Sequence, residues 1–259
     1  MRCSVEAMRR TAFTIAALLA LAWTASASAG DAPRLRAIVS ACQTGSDPVS
    51  RLAAFTASMP AADDTARMAI RFDLQQRTVD GGVWQRVPAP SFGRWERARP
   101  GVAGFVYTKD VHGLTAPGEY RAIVRFRWWS ADGKVRNARR ITRSCRQPDP
   151  RPNLQAGRLT AVPTATDAVA SYRVVLRNGG RGAAGPFAVA LLQNGAEVAR
   201  ASVPGLAPGG LTTVELLAPP CSAGTNLELR VDADDAVDEA GEEDSVVRPA
   251  CPLGAQEQR

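Results

Sequence analysis

What constrains this chain most is a two-residue alternation of apolar and polar side chains, renewed in short runs. Ala66, Met68, Ile70, Phe72 and Leu74 fall on one side of a run, and Arg67, Ala69, Arg71 and Asp73 on the other. A later run repeats the pattern, with Tyr120, Ala122, Val124, Phe126 and Trp128 on one side and Arg121, Ile123, Arg125, Arg127 and Trp129 on the other. Successive side chains of a strand point to opposite faces of a sheet, so such runs specify strands with one buried face. Gly, Pro, Asn and Asp break the runs, and none longer than about ten residues keeps a helical period. The pattern predicts an all-β chain folded as β-sandwiches.

Residues 1–29 stand outside that pattern. Arg2, Arg9 and Arg10 precede an apolar run from Ala12 to Trp23, and Ala25-Ser-Ala-Ser-Ala29 supplies small residues. The run is too short for a comfortable membrane span, and the three parts together predict a signal peptide cleaved after Ala29. Cleavage removes Cys3. No second apolar stretch of spanning length follows, so the mature chain is expected to be secreted, with no transmembrane span. Cys42, Cys145, Cys221 and Cys251 remain. Four cysteines in an exported chain imply two disulfides, with three pairings open.

Two domains are expected. Over residues 30–146 the strands fall near Leu35–Cys42, Arg51–Ser58, Ala66–Gln75, Trp84–Val87, Phe105–Thr108, Tyr120–Trp129 and Ala138–Cys145, and Ala131-Asp-Gly-Lys134 reads as a hairpin turn. Seven strands in about 110 residues is the count of an immunoglobulin or fibronectin type III sandwich. Residues 147–152 hold three prolines and read as a short, stiff linker. Over residues 153–252 strands fall near Leu154–Val162, Ser171–Arg177, Phe187–Leu192, Glu197–Ala201, Leu211–Leu216, Leu227–Val231 and Val246–Pro249, with Asn194-Gly195 as a hairpin signal. Residues 253–259 read as a disordered tail. Charge divides the same way: Gly30–Pro150 has 20 Lys+Arg against 11 Asp+Glu, and Arg151–Arg259 has 9 against 13. A basic half followed by an acidic half argues for two units with different surfaces.

Two local patterns carry resemblances. Leu114-Thr-Ala-Pro-Gly-Glu-Tyr120 resembles the tyrosine corner of fibronectin type III domains, in which the tyrosine hydroxyl closes the turn on an upstream backbone group. In the second half the matching pieces are Pro152-Asn-Leu154, Val175-Leu-Arg-Asn-Gly-Gly180 and Leu191-Leu-Gln-Asn-Gly195. Val203-Pro-Gly-Leu-Ala-Pro-Gly209, Val231-Asp232, Val237-Asp-Glu239 and Glu242-Glu-Asp244 complete the set. In this order they resemble the CARDB family, the cell adhesion related domain found in bacteria. The resemblance implies an immunoglobulin-like sandwich without catalytic residues. It departs from the family at Asp244-Ser245, where members often carry Asn-Asn.

The cysteine positions favour one pairing. Cys42 ends the first strand of its domain and Cys145 the last, so a bond between them would join the two ends. Cys221 and Cys251 straddle the last hairpin, and their midpoint falls in its turn, where a cross-hairpin bond is natural.

Three kinds of chemistry are candidates. Val231–Val246 carries eight carboxylates. Counted from Asp232 as an EF-hand loop, it has Ala236 and Val237 where an oxygen ligand and a glycine are needed, so that motif fails. A looser calcium site at Asp232, Asp234, Asp235 and Asp238 stays open, beside the plainer reading that these carboxylates cap backbone amides. On the basic half, Arg67, Arg71, Arg125, Arg127 and Arg140 form a stripe with Trp129 if their strands are neighbours, which suits a polyanion such as an acidic glycan or cell-wall polymer. The plainer reading is arginine stacking on a solvated sheet. Trp84, Trp95 and Trp128 are candidates for a sugar platform, but Trp128 faces inward and reads as core. Catalysis has little support: His112 is the only histidine, no Gly-x-Ser-x-Gly or His-Glu-x-x-His occurs, and no catalytic residue is assigned.

The sequence therefore predicts tandem immunoglobulin-like sandwiches in an exported, non-catalytic binding or adhesion protein without a cofactor. Its partner would be an extracellular protein or a cell-wall glycan, with no specific nucleic acid. The rival readings are a structural spacer of a surface assembly, and a polyanion binder acting through the first domain.

Overall fold

A computed structural model describes residues 34–166 and 168–253. The expected signal peptide at residues 1–29 lies outside the described residues, as does the expected tail beyond Leu253. Leu253 itself packs against the C-terminal core. The described chain is all-β, as its alternating pattern predicts.

Among the described residues the first half contributes β1 (Arg36–Gln43), β2 (Leu52–Pro60), β3 (Thr65–Arg77), β4 (Gln85–Arg86), β5 (Trp95–Arg97), β6 (Gly104–His112), β7 (Gly118–Ser130), β8 (Val135–Ile141) and β9 (Cys145–Gln147). One sheet has the order β1-β2-β6. The other runs β4-β3-β7-β8, with β5 added to β3 and β9 to β7. The inward residues expected from the alternation do form the core between them. Phe55 and Met59 of β2 meet Met68, Ile70, Phe72 and Leu74 of β3 and Tyr120, Val124, Phe126 and Trp128 of β7. Burying each such side chain contributes about 1.5–3 kcal/mol, which is why the inward face admits no polar substitution without cost. Trp128 is core, and its indole N–H donates to the Pro60 carbonyl at 2.8 Å. Ala66 departs from expectation: the β3–β7 register breaks between Thr65 and Arg67, and Ala66 is exposed.

The tyrosine corner is formed. The Tyr120 hydroxyl donates to the Thr115 carbonyl at 2.9 Å, and burial pushes its pKa up. The expected last strand Ala138–Cys145 is two pieces, β8 and β9, parted where Thr142 bonds back to Ala122. β9 runs on to Gln147, a residue of the expected linker, which is fully buried and donates to the Gln43 carbonyl at 3.1 Å. β5 has no counterpart among the expected strands. Its Glu96 accepts from the buried Lys109 ammonium of β6 at 2.6 Å, an ion pair that spans the sandwich and ties the short strand, paired to β3, to the opposite sheet.

The second half contributes β10 (Leu154–Ala156), β11 (Thr160–Pro163), β12 (Ala170–Asn178), β13 (Phe187–Gln193), β14 (Ala196–Val203), β15 (Leu211–Ala218), β16 (Leu227–Val231) and β17 (Val246–Val247). β10 and β11 share one edge of β12 and β15 takes the other, while the second sheet has the order β14-β13-β16-β17. A separate core fills this half, including Leu154, Tyr172, Leu176, Leu191, Leu216 and Leu229. Asn194 and Gly195 both have positive φ, as a tight hairpin between β13 and β14 requires. Asn178 organises the loop that follows β12. It is fully buried, its amide donates to Gly182 and Leu206, and its oxygen accepts from Asn153 and Gly180. The backbone closes so tightly there that a Cβ on Gly180 would lie 2.4 Å from the Asn153 nitrogen.

The disulfides are Cys42–Cys145 and Cys221–Cys251. The first joins β1 of one sheet to β9 of the other, so it fastens the two layers of its sandwich as well as the two ends. The second holds the expected partners by a different geometry. The β16–β17 register centres the hairpin on Asp238, and both cysteines lie beyond the paired segments. In the chain-entropy model a bridge over 103 residues contributes about 4–5 kcal/mol and one over 30 residues about 3–4. Urea denaturation of a Cys42→Ser/Cys145→Ser variant is expected to show the larger of these losses. A loss below that of the Cys221→Ser/Cys251→Ser variant would contradict it.

Candidate functional site

The β3–β7 ladder decides which side chains share the outer face of the six-stranded sheet. It pairs Arg67 with Trp129, Ala69 with Arg127, Arg71 with Arg125 and Asp73 with Ile123. Paired residues project to the same side, so Arg67, Arg71, Arg125, Arg127 and Trp129 come together as a stripe. Arg140 does not join them. β8 begins at Val135, and its register sets Arg140 beside the inward-facing Val124 and Arg139 beside Arg125. Arg139 therefore holds the place on the stripe expected for Arg140.

Two further tryptophans join the stripe, Trp84 beside the expected strand β4 and Trp95 on β5, which alternation does not signal. Trp95 of β5 pairs with Arg71, and the Arg127 guanidinium lies 4.5 Å from its ring centroid and 5.6 Å from that of Trp129. Arg67 lies 5.2 Å from the Trp129 ring. At the far end Trp84 carries Arg121 at 4.0 Å and Arg77 at 4.7 Å. The result is a ladder of alternating indoles and guanidiniums, each pair an attraction of cation to ring quadrupole.

Asp73 lies within this ladder and is only 3% exposed. Its carboxylate accepts from Arg71 at 2.9 Å, from Arg86 at 2.6 Å and from Arg125. Three guanidiniums around one buried carboxylate leave an excess of positive charge and brace the strands that carry them. Burial first, and then the like charges of Arg77 and Arg139, lower the Arg121 pKa, a sign of how crowded the cations are. Beside the ladder, Trp95, Arg125, Arg127, Asn137 and Arg139 line a groove of about 380 Å³. A larger cleft of about 850 Å³ runs past Cys251 in the second half, but Glu228 there bridges Arg230 and Arg248, so its charges compensate internally.

The acidic stretch has another use for its carboxylates. Asp232 accepts from the amides of Ala236 at 3.1 Å and Val237 at 2.8 Å. Asp234 pairs with Arg200 and Asp238 with Arg151, at 2.8 and 2.7 Å. Asp232 and Asp235 sit at positive φ, a conformation aspartate tolerates better than most residues. Val237 enters the core at the position where an EF-hand needs glycine. The four carboxylates do not converge, and no group of three or more His, Cys, Asp or Glu side chains among the described residues is placed to hold a metal. Glu239 is the buried member of the loop. It accepts from the Leu154 amide and, at 3.1 Å, from the Ser245 hydroxyl, so it ties the loop to the first strand of its half. His112 ends β6 and contacts Asp110 at 2.7 Å.

Residues 151–248 match the CARDB family model. This segment is a CARDB domain. CARDB is a non-catalytic, adhesion-type domain, and the Asn178 knot and the capped acidic loop are the parts of it described above. Two solved structures each resemble about two fifths of the chain. A Methanosarcina acetivorans domain described as cell-surface has 25% identity over 39% of this chain and 90% of its own, with a TM-score of 0.35. A CARDB domain from Pyrococcus furiosus, solved in complex with di-metal ions, has 20% identity over 39% of this chain and 86% of its own, with a TM-score of 0.33. Red sea bream transglutaminase has 13% identity over 84% of this chain and 31% of its own, with a TM-score of 0.32. No curated protein matches the chain. A CARDB domain and two disulfides are features of an extracellular protein, and no helix among the described residues is long and apolar enough to cross a membrane.

Glu239 generates a pH prediction for the CARDB domain. Desolvation raises its pKa, two hydrogen bonds oppose that shift, and the charges of Glu242 and Asp232 add to it. The folded state therefore holds this proton more tightly than the unfolded chain. The associated stability is present below the ordinary carboxylate range of about 4 and is lost as pH rises through the folded pKa. The stability of wild type relative to Glu239→Gln, measured by urea denaturation at a series of pH values, should fall across that interval. A difference that grows with pH would show the sign to be wrong.

Proposed function

We propose that the chain is an exported, non-catalytic binding protein that works outside the cell. The outer face of its first sandwich holds a polyanion, and the CARDB domain is its adhesion-type companion. What supports this most is the register that sets Arg67, Arg71, Arg125, Arg127 and Arg139 on one face with Trp95 and Trp129. Guanidiniums present planar forks to carboxylate, sulfate and phosphate groups, and a concentration of one sign of charge attracts an oppositely charged polymer before any specific contact forms. The basic half and acidic half make the first sandwich, rather than the CARDB domain, the place for such a ligand. Export through the leader at residues 1–29 belongs to the same reading, as do four cysteines in two disulfides.

One observation favours the rival reading of a structural spacer. Arg71, Arg86 and Arg125 are already engaged by Asp73, so part of the ladder serves to brace the sheet. Binding separates the two readings. Wild type should bind heparin or teichoic acid at low ionic strength and release it as salt rises, because exposed charges are screened within about 10 Å at 0.1 M salt. An Arg125→Glu/Arg127→Glu variant should bind at least about tenfold more weakly, the change expected when two charge-assisted contacts become repulsive. Unchanged affinity in a folded double variant would leave the spacer reading standing instead.

A further inference from the structure

The groove beside the ladder carries a more specific assignment, which rests on the polyanion reading. We infer that Trp95, Arg125, Arg127, Asn137 and Arg139 form a subsite for one carboxylated sugar unit of an acidic polysaccharide. The decisive group is Arg139. Arg125 is bonded to Asp73, and Arg127 is stacked on Trp95 while its Nε donates to the Asn137 oxygen at 2.9 Å. Arg139 is exposed, and among the described residues its side chain has no hydrogen-bond or ion-pair partner. A free guanidinium at the wall of a groove offers two parallel N–H donors, which matches a carboxylate. The Asn137 oxygen is held by Arg127, which leaves its amide N–H groups to donate to a sugar hydroxyl or ring oxygen.

The walls select for a ring as well as a charge. At about 380 Å³ the groove falls within the range of small-molecule sites, and Trp95 gives it an apolar side. A bare phosphate chain has nothing to set against that side. The Trp95 and Trp129 rings are already stacked by guanidiniums, which disfavours their use as platforms for nucleobases. A saturated pyranose needs only van der Waals contact there. β8 is the outer strand of its sheet, so the groove lies at the edge of that sheet.

Polygalacturonate fragments are the probe. Wild type should bind them, and Arg139→Ala should weaken binding about tenfold, the loss expected for a hydrogen bond to a charged group. Arg143→Ala removes the same charge from an exposed position outside the groove and should change affinity by less than about twofold. Asn137→Asp, which sets a carboxylate against the ligand, should also weaken binding. Equal losses from Arg139→Ala and Arg143→Ala would overturn the subsite and leave only general attraction. So would inorganic polyphosphate or a thymidine oligonucleotide binding as tightly as polygalacturonate. Wild type that binds heparin but not polygalacturonate would overturn the subsite while keeping the polyanion reading. Wild type that binds neither would overturn both.

Discussion

The antiparallel pairing of β3 with β7 is the interaction on which the first sandwich depends. Two long strands in one register set two faces at once. Inward, Met68, Ile70, Phe72 and Leu74 meet Trp128, Phe126, Val124 and Ala122 and close the core. Outward, the same register lines up Arg67, Arg71, Arg125 and Arg127. A shift of one residue would exchange the faces, burying arginines and exposing the core. The hydrophobic effect that fixes the inner face therefore also positions the outer one. A row of like charges on adjacent strands is unfavourable by itself, and the structure offsets it in two ways. Asp73 neutralises part of the charge from a buried position, and the tryptophans offer ring faces to the guanidiniums. What is left over, most clearly at Arg139, faces solvent.

The CARDB domain solves the opposite problem, a surplus of carboxylates in one hairpin. Each carboxylate with a resolved role has its own partner. Asp232 caps amides, Asp234 and Asp238 take arginines, and Glu239 is buried against the first strand of the domain. Shared among N–H groups and guanidiniums, the acids hold a long turn in one shape. The neighbouring Cys221–Cys251 bond limits how far its ends can separate.

Much of this was readable from the residues because period-two alternation is a direct image of the sheet. Strands, inner faces and the Asn194-Gly195 hairpin follow from it or from local turn chemistry; the tyrosine corner follows from a resemblance, and both cysteine pairs have the expected partners, although Cys221 and Cys251 lie beyond the paired strands. The failures have physical causes. β5 is three residues long, too short to show a period, and it is positioned by Glu96 reaching across to Lys109. Without β5, Trp95 has no place on the outer face. Arg140 was exchanged for Arg139 because the final strand begins three residues before Ala138 and breaks at Thr142. The Ala131–Lys134 turn is legible as a hairpin, but the break at Thr142, made by its bonds back to Ala122, does not show in composition. Calcium is suggested by composition alone. Which amides and arginines the acids meet depends on chain segments as distant as Arg151 and Arg200.

The most direct test of the basic face as a binding surface is a titration of nitrogen-15-labelled protein with a heparin oligosaccharide, followed through tryptophan indole and arginine Nε–H signals. The account predicts shifts at Trp95, Trp129, Arg127 and Arg139, while the indole of Trp128, buried and bonded to the Pro60 carbonyl, stays still. Shifts confined to the CARDB domain, or none at saturating oligosaccharide, would contradict it.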